Sequence, residues 1–250
     1  MYNFGVGSVI LKRTKDAAGN TIAIPQAEQL LALQEIELGI DIELKQLKGS
    51  GVFPLAVAQA GGKIEVKAKV GDINTSAFET LWGEAAQATS TLVQQGEACS
   101  VPANSPYTIT VAPPLSGTFQ EDLGLIDVAT GQPLRRVTAT PAAGEYSVSA
   151  GVYTLHSSAA GKALLRSYEY TTTSAGAKTY NINNRLMGAS PRFSIVMCNR
   201  FDGKTVAVKL HSCVSSKFML PFKSDDFAQQ PFEAQAFDNG AGSVGYLSFW

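Results

Sequence analysis

The chain has 250 residues, of which 45% are hydrophobic and 16% charged, enough apolar material for one large or two small cores and too much for a disordered chain. Twenty Lys and Arg against 21 Asp and Glu leave a net charge of −1, so no surplus of positive charge is available to hold nucleic acid by counterion release. No run approaches the roughly 20 apolar residues of a membrane span and no signal-peptide pattern opens the sequence, so synthesis in the cytosol without membrane partners is expected.

In chain order, Phe4 to Arg13 and Thr21 to Ile24 flank the turn signal Asp16-Ala17-Ala18-Gly19-Asn20 and read as two short strands. From Glu35 to Lys45, Ile36, Leu38, Ile40, Ile42 and Leu44 alternate with polar residues, and from Lys63 to Val70, Ile64, Val66, Ala68 and Val70 do the same. A period of two marks strands with one buried and one wet face. The intervening Gly49 to Gly62 reads as a glycine-bounded excursion, the mobile tip of an extended hairpin, in which Val52, Phe53, Leu55 and Val57 are apolar. Paired antiparallel, the hairpin gathers Glu35, Glu37, Asp41, Glu43 and Glu65 with Lys45, Lys63, Lys67 and Lys69 on one nearly neutral face. A short helix follows, capped by Asn74, Thr75 or Ser76, with Phe78, Leu81, Trp82 and Ala85 on one face and Gly83 weakening its end.

Residues 97–177 carry only six acids and four bases and a series of short strands: Tyr107 to Val111, Leu123 to Val128, Arg135 to Thr138, Glu145 to Ser149, Val152 to Leu155 and Ala163 to Tyr170. The dipeptides Thr130-Gly131, Ala143-Gly144, Ala150-Gly151 and Ala160-Gly161 punctuate them, as in a small β-sandwich inserted into a parent domain made of 1–96 and 178–250. In the parent's second half, Phe193 to Cys198, Thr205 to His211, Phe218 to Phe222, Phe232 to Phe237 and Val244 to Phe249 read as strands, with turns at Asp202-Gly203 and Asn239-Gly240.

Catalytic and metal signatures are sparse. His156 and His211 lie in no catalytic signature, and Cys99, Cys198 and Cys213 form neither a CxxC pair nor an even set. Asp225-Asp226 reads as a loop carboxylate pair, and Gly5-Val6-Gly7 lacks the third glycine of a dinucleotide fold. No catalytic residue, metal ligand or cofactor is expected. Tyr146, Tyr153, Tyr168 and Tyr170 offer two readings, packing inside the sandwich or a platform for a sugar.

The run Leu44-Lys45-Gln46-Leu47-Lys48-Gly49, the loop with Pro54, the strand Lys63 to Asp72 and the helix Phe78-Glu79-Thr80-Leu81-Trp82-Gly83 resemble the strand, stacking loop, strand and short helix of bacteriophage tail tube proteins. Lys204 to Leu210, Phe218 to Phe222, Asp226-Phe227, Phe232 to Ala236 and Asp238 to Gly245 are similar to that family's terminal strands, and the insert is similar to Ig-like β-modules of phage structural proteins. The resemblance implies a mainly β fold of tail-tube barrel or sandwich type and a structural protein of the virion tail, not an enzyme. It implies hexameric rings stacked into a tube, made in the host cytoplasm, that conducts DNA during ejection. Its partners would be further copies of itself, a tape measure protein, tail terminator and baseplate proteins, and a sheath protein if the tail contracts. Glu35, Glu37, Asp41, Glu43, Lys63, Lys67 and Lys69 would then line the lumen, and Val52, Phe53, Pro54, Leu55 and Val57 would stack rings. The alternatives are a tube-terminal or baseplate-proximal ring and a carbohydrate- or surface-binding β-sandwich.

Overall fold

The computed structural model describes residues 5–72, 75–184, 187–188, 190–225 and 227–250. Phe4, Asn74 and Asp226, named above at a strand start, a helix cap and an acidic pair, lie outside the described residues. The fold is mainly β, with 54% of residues in strands and a single α-helix among those described. Its elements in order are β1 (Ser8–Lys15), β2 (Ala27–Gln29), β3 (Leu33–Lys48), β4 (Pro54–Val70), α1 (Thr75–Trp82), β5 (Ser90–Ser100), β6 (Thr108–Thr110), β7 (Thr118–Asp127), β8 (Arg135–Arg136), β9 (Glu145–Ser149), β10 (Val152–Leu155), β11 (Ala163–Thr172), β12 (Arg192–Phe201), β13 (Lys204–Phe218), β14 (Gln230–Phe237) and β15 (Gly245–Phe249). Two compact units result, residues 5–85 with 183–250 and residues 86–182. The division falls outside β5, whereas a boundary between 96 and 97 would cut that strand.

The first unit is one antiparallel sheet in the order β2-β1-β12-β13-β14-β4-β3, with β15 also paired to β13. It does not close into a barrel, and β2, β3 and β15 are its edges among the described residues. The apolar positions of the alternating strands meet on one face, where Val9, Leu11, Val66, Phe193, Ile195, Cys213 and Phe232 are buried. Removing such side chains from water contributes roughly 1.5–3 kcal/mol apiece, which is what holds an open sheet in shape. Helix α1 buries Ala77 and Leu81 against this core, and Phe78 meets Phe218 edge-on with ring centres 5.3 Å apart. Ala85, expected on the same helical face, lies beyond the helix and is exposed. Between β12 and β13 the two-residue turn Asp202-Gly203 has φ of 51° and 71°, the left-handed pair that matches strand twist in tight hairpins.

Three sequence expectations are corrected here. Thr21 to Ile24 forms only a bridge from Thr21 to Lys15, and the edge strand is instead β2, which pairs with the middle of β1. Phe218 to Phe222 is not a separate strand, because Phe218 completes β13 against Phe232 and the chain then turns toward β14. The excursion from Gly49 to Gly62 shrinks to Gly49–Phe53: β4 starts at Pro54 and carries Gly61 and Gly62 within the ladder, opposite Glu43 and Ile42. A bulge at Ala60, which has no partner on β3, absorbs the odd residue and lets pairing continue past the glycines.

The second unit is a sandwich of a four-stranded sheet, β6-β10-β9-β8, and a three-stranded sheet, β5-β11-β7. They enclose one core, in which Leu125, Tyr146, Tyr153, Leu164 and Tyr168 are buried. Arg166 of β11 joins the two layers, its Nε 2.6 Å from Glu97 Oε2 and its Nη1 donating to the Thr110 carbonyl at 3.1 Å.

Candidate functional site

The β3–β4 hairpin is the most distinctive surface of the chain. Its strands are 16 and 17 residues long, and their register puts Glu35 opposite Lys69, Glu37 opposite Lys67 and Asp41 opposite Lys63. Residues directly opposite share a face, so six of the seven residues expected to line a lumen form three acid–base pairs. Glu43, the seventh, faces Gly61 instead. Glu35 and Lys69 are ion-paired and hydrogen-bonded, as are Lys63 and its same-strand neighbour Glu65. The bond from Lys69 holds the Glu35 carboxyl below the usual range, and that from Lys63 does the same for Glu65. In return both ammonium groups are raised above theirs.

The polar face extends past the hairpin. Lys67 is also opposite Glu233 of β14, and Glu233 is opposite Lys217 of β13, whose Nζ stands 3.3 Å from Glu233 Oε1. The row Glu37, Lys67, Glu233, Lys217 therefore alternates in sign across four strands. Glu233 and Lys217 were not legible as members, because only the pairing of β14 with β4 brings their strands alongside the hairpin.

Toward the tip the opposite face changes character. β14 accompanies β4 only from Val70 to Ile64, so from Lys63 onward the hairpin is a ribbon of two strands. The core face then runs out into solvent: Ile40, Ile42 and Leu44 are exposed on β3, and Leu55 and Val57 on β4. Val52 and Phe53, exposed by 96% and 83%, occupy the connecting turn, whereas Pro54, Leu55 and Val57 belong to β4 itself.

Other candidates have local explanations. His156 accepts a bond from the Ser158 amide at 3.2 Å and so caps a one-turn 3-10 helix, and His211 packs edge-on against Tyr246. Cys213 is buried, and burial pushes its thiol up to about 12. Cys99 is half-buried with its thiol also raised by desolvation, and Cys198 is half-buried. Asp225 is in an exposed bend. The four tyrosines face inward: Tyr146, Tyr153, Tyr168 and Tyr170 are each at most 5% exposed. Tyr146 and Tyr153 donate to the buried Asp122 carboxylate at 2.7 and 2.8 Å. A sugar platform built on these rings is ruled out by their burial. Comparison of the chain with protein-family models and with curated proteins finds no match.

Proposed function

We propose that this chain is a structural subunit of a phage tail tube, assembling as six-membered rings that stack around a lumen through which DNA passes. The observation that supports the reading best is the β3–β4 hairpin, with a self-neutralised polar face on one side and an apolar face that runs uncovered to the tip on the other. Such a ribbon is an aggregation hazard in a free monomer. Assembly with neighbouring copies covers the apolar side and pairs the β3 edge. The polar side suits a wet channel wall, because charges already paired within the sheet have little left to offer a passing polyanion. No catalytic role is assigned. In this reading the protein resides in the virion tail and its contacts are with further copies and with the proteins that measure, terminate and anchor the tube.

Electron microscopy and sedimentation of the purified chain test the proposal. Rings or tubes of six-fold symmetry are the expected result; a protein that stays monomeric at high concentration and under assembly conditions overturns it.

A further inference from the structure

The connection between β14 and β15 holds the one asparagine of the chain that precedes a glycine; each of the other eight is followed by a residue with a side chain, which crowds the next amide nitrogen. Asn239 and Gly240 are both exposed in this connection. Gly240 has a φ of 89°, a conformation that favours glycine, and the space around it is open, since a Cβ built there would meet no atom within 4 Å. Asn239 Oδ1 accepts the Ala241 N–H at 2.8 Å, which curls the side-chain amide over the peptide that joins residues 239 and 240. The Gly240 N–H in turn donates to Asp238 Oδ1, which also accepts from the Gly242 N–H at 3.3 Å. The base of the turn is tied by the Asn239 N–H donating to the Ser243 carbonyl at 3.1 Å. A carboxylate, an unhindered amide nitrogen, a side-chain carboxamide and a donor to that carboxamide's oxygen therefore stand in one exposed turn.

We propose that Asn239 is a self-modification site, at which the folded turn promotes deamidation through a cyclic imide. The Gly240 nitrogen attacks Asn239 Cγ and a new N–Cγ bond forms, while the amide proton passes to the Asp238 carboxylate. The Ala241 N–H faces the oxygen on which negative charge gathers in the tetrahedral intermediate. The Cγ–Nδ2 bond then breaks, and the nitrogen takes the proton from Asp238 and leaves as ammonia. Water adds to either carbonyl of the imide, so the products are aspartate on the original chain path and isoaspartate, whose main chain is one methylene longer. No oxidant, metal or cofactor enters the balance. Either product sets a second carboxylate beside Asp238, and the isoaspartyl path lengthens the connection that delivers the chain to β15. That strand pairs with β13 alone, so it is the element that loosens first. The inference is independent of the tube reading.

The test is peptide mass mapping of the full chain during incubation near neutral pH, folded and in urea, with an enzymatic assay for isoaspartate. In the folded chain the peptide containing Asn239 should gain one mass unit at least tenfold faster than any other asparagine-containing peptide, and at a rate no more than a few-fold below that in urea. Asn239→Gln keeps the carboxamide but needs a six-membered ring, so it should stop the gain without disturbing the fold. Asp238→Asn should slow it several-fold. Hydrogen exchange across residues 245–249 should quicken in the aged protein and stay unchanged in aged Asn239→Gln. An Asn239 that survives in the folded chain while it converts in urea, or that converts no faster than the other asparagines, overturns the proposal. An Asp238→Asn variant that converts as fast as the parent overturns the role given to that carboxylate.

Discussion

Glu37 of β3 lies directly across from Lys67 of β4, and the same lysine lies directly across from Glu233 on its other side. A base held between two acids makes Lys67 the pivot of the charged row. Lys67→Glu puts three carboxylates abreast, where like charges oppose one another, whereas Glu37→Lys leaves Glu233 between two lysines and converts only one pair. The expectation is a larger loss in thermal midpoint for Lys67→Glu than for Glu37→Lys, with the gap narrowing in high salt. Equal losses, or no salt effect, would show that the row acts only through its aliphatic stems.

The same ladder sets a pH window. Glu35 and Glu65 are depressed below the ordinary 4.5, so their contribution is complete above that value and fades as pH falls through the folded pKa. Lys63 and Lys69 are raised above 10.5, so theirs is complete below that value and fades as pH climbs through the folded pKa. Because these groups are solvent-exposed, the effect is small and screened by salt. Melting curves should show a plateau between about pH 5 and pH 10, with the hairpin pairs weakening beyond either side.

In the second unit Asp122 is a buried polar anchor that receives Tyr146, Tyr153 and the Gly124 amide. Tyr153→Phe removes one bond to a buried carboxylate and should cost about 1.5–3 kcal/mol in denaturant unfolding of that unit. Burial, then the bond to Asp122, raises both phenols well above the ordinary 10.0, and Tyr168 reaches about 12. Between pH 10 and 12 the folded unit should therefore keep these protons while the unfolded chain releases them, and stability should fall as pH rises. Absorbance of tyrosinate would follow unfolding at these positions; early, reversible ionisation of all eight tyrosines would contradict it.

How much was legible follows from which interactions are local. β9 and β10 match their sequence limits, Glu145 to Ser149 and Val152 to Leu155, because alternation and the Ala150-Gly151 turn are both short-range signals. The strand β5 gave no such signal: its partly buried positions include Gln94 and Glu97, and Glu97 is tolerated there only because Arg166 of β11 reaches it. In the same way β4 was read only from Lys63, since Gly61-Gly62 weakens any strand by propensity, while the long β3 beside it supplies the partner that overrides propensity. Nine charged positions can be named from the alternation of β3 and β4, but Glu233 and Lys217 depend on strands that arrive from 150 residues or more farther along the chain.

The units should separate by deletion. Asn183 Nδ2 donates to Glu84 Oε1 at 3.3 Å, so the two ends that the insertion leaves behind in the first unit are already adjacent. Within the second unit Gln87 donates to the Thr179 carbonyl at 2.9 Å, which brings its own ends together. Replacing residues 86–182 by a short Gly/Ser bridge should give a soluble β protein that still assembles, and residues 86–182 alone should fold cooperatively. Insoluble or unfolded products from both halves would show a shared core.

The last prediction concerns the wall of the proposed lumen. Across β3, β4 and the stretches of β14 and β13 paired alongside them, the acids Glu35, Glu37, Asp41, Glu43, Glu65 and Glu233 slightly outnumber Lys45, Lys63, Lys67, Lys69 and Lys217. Neutralising phosphates releases counterions, and affinity for B-DNA then falls with salt at a log–log slope of about −0.9 per contact. A wall that made many such contacts would hold DNA at every ring and oppose fast transit. Replacing Glu35, Glu37, Asp41 and Glu43 together by Lys strips the acids from β3 and takes Glu35 from Lys69, while Lys63 keeps Glu65 and Lys67 keeps Glu233. Assembled material should then retain DNA, with a salt slope steepening by several units over the unsubstituted protein, and particles built from it should eject slowly. Glu37→Lys alone disturbs pairing least and should give a small step in the same direction. Retention measured across a salt series separates the outcomes: strong, steeply salt-dependent binding places this face toward the DNA path, whereas assembled tubes that bind no DNA and eject at the usual rate would put these side chains on the exterior.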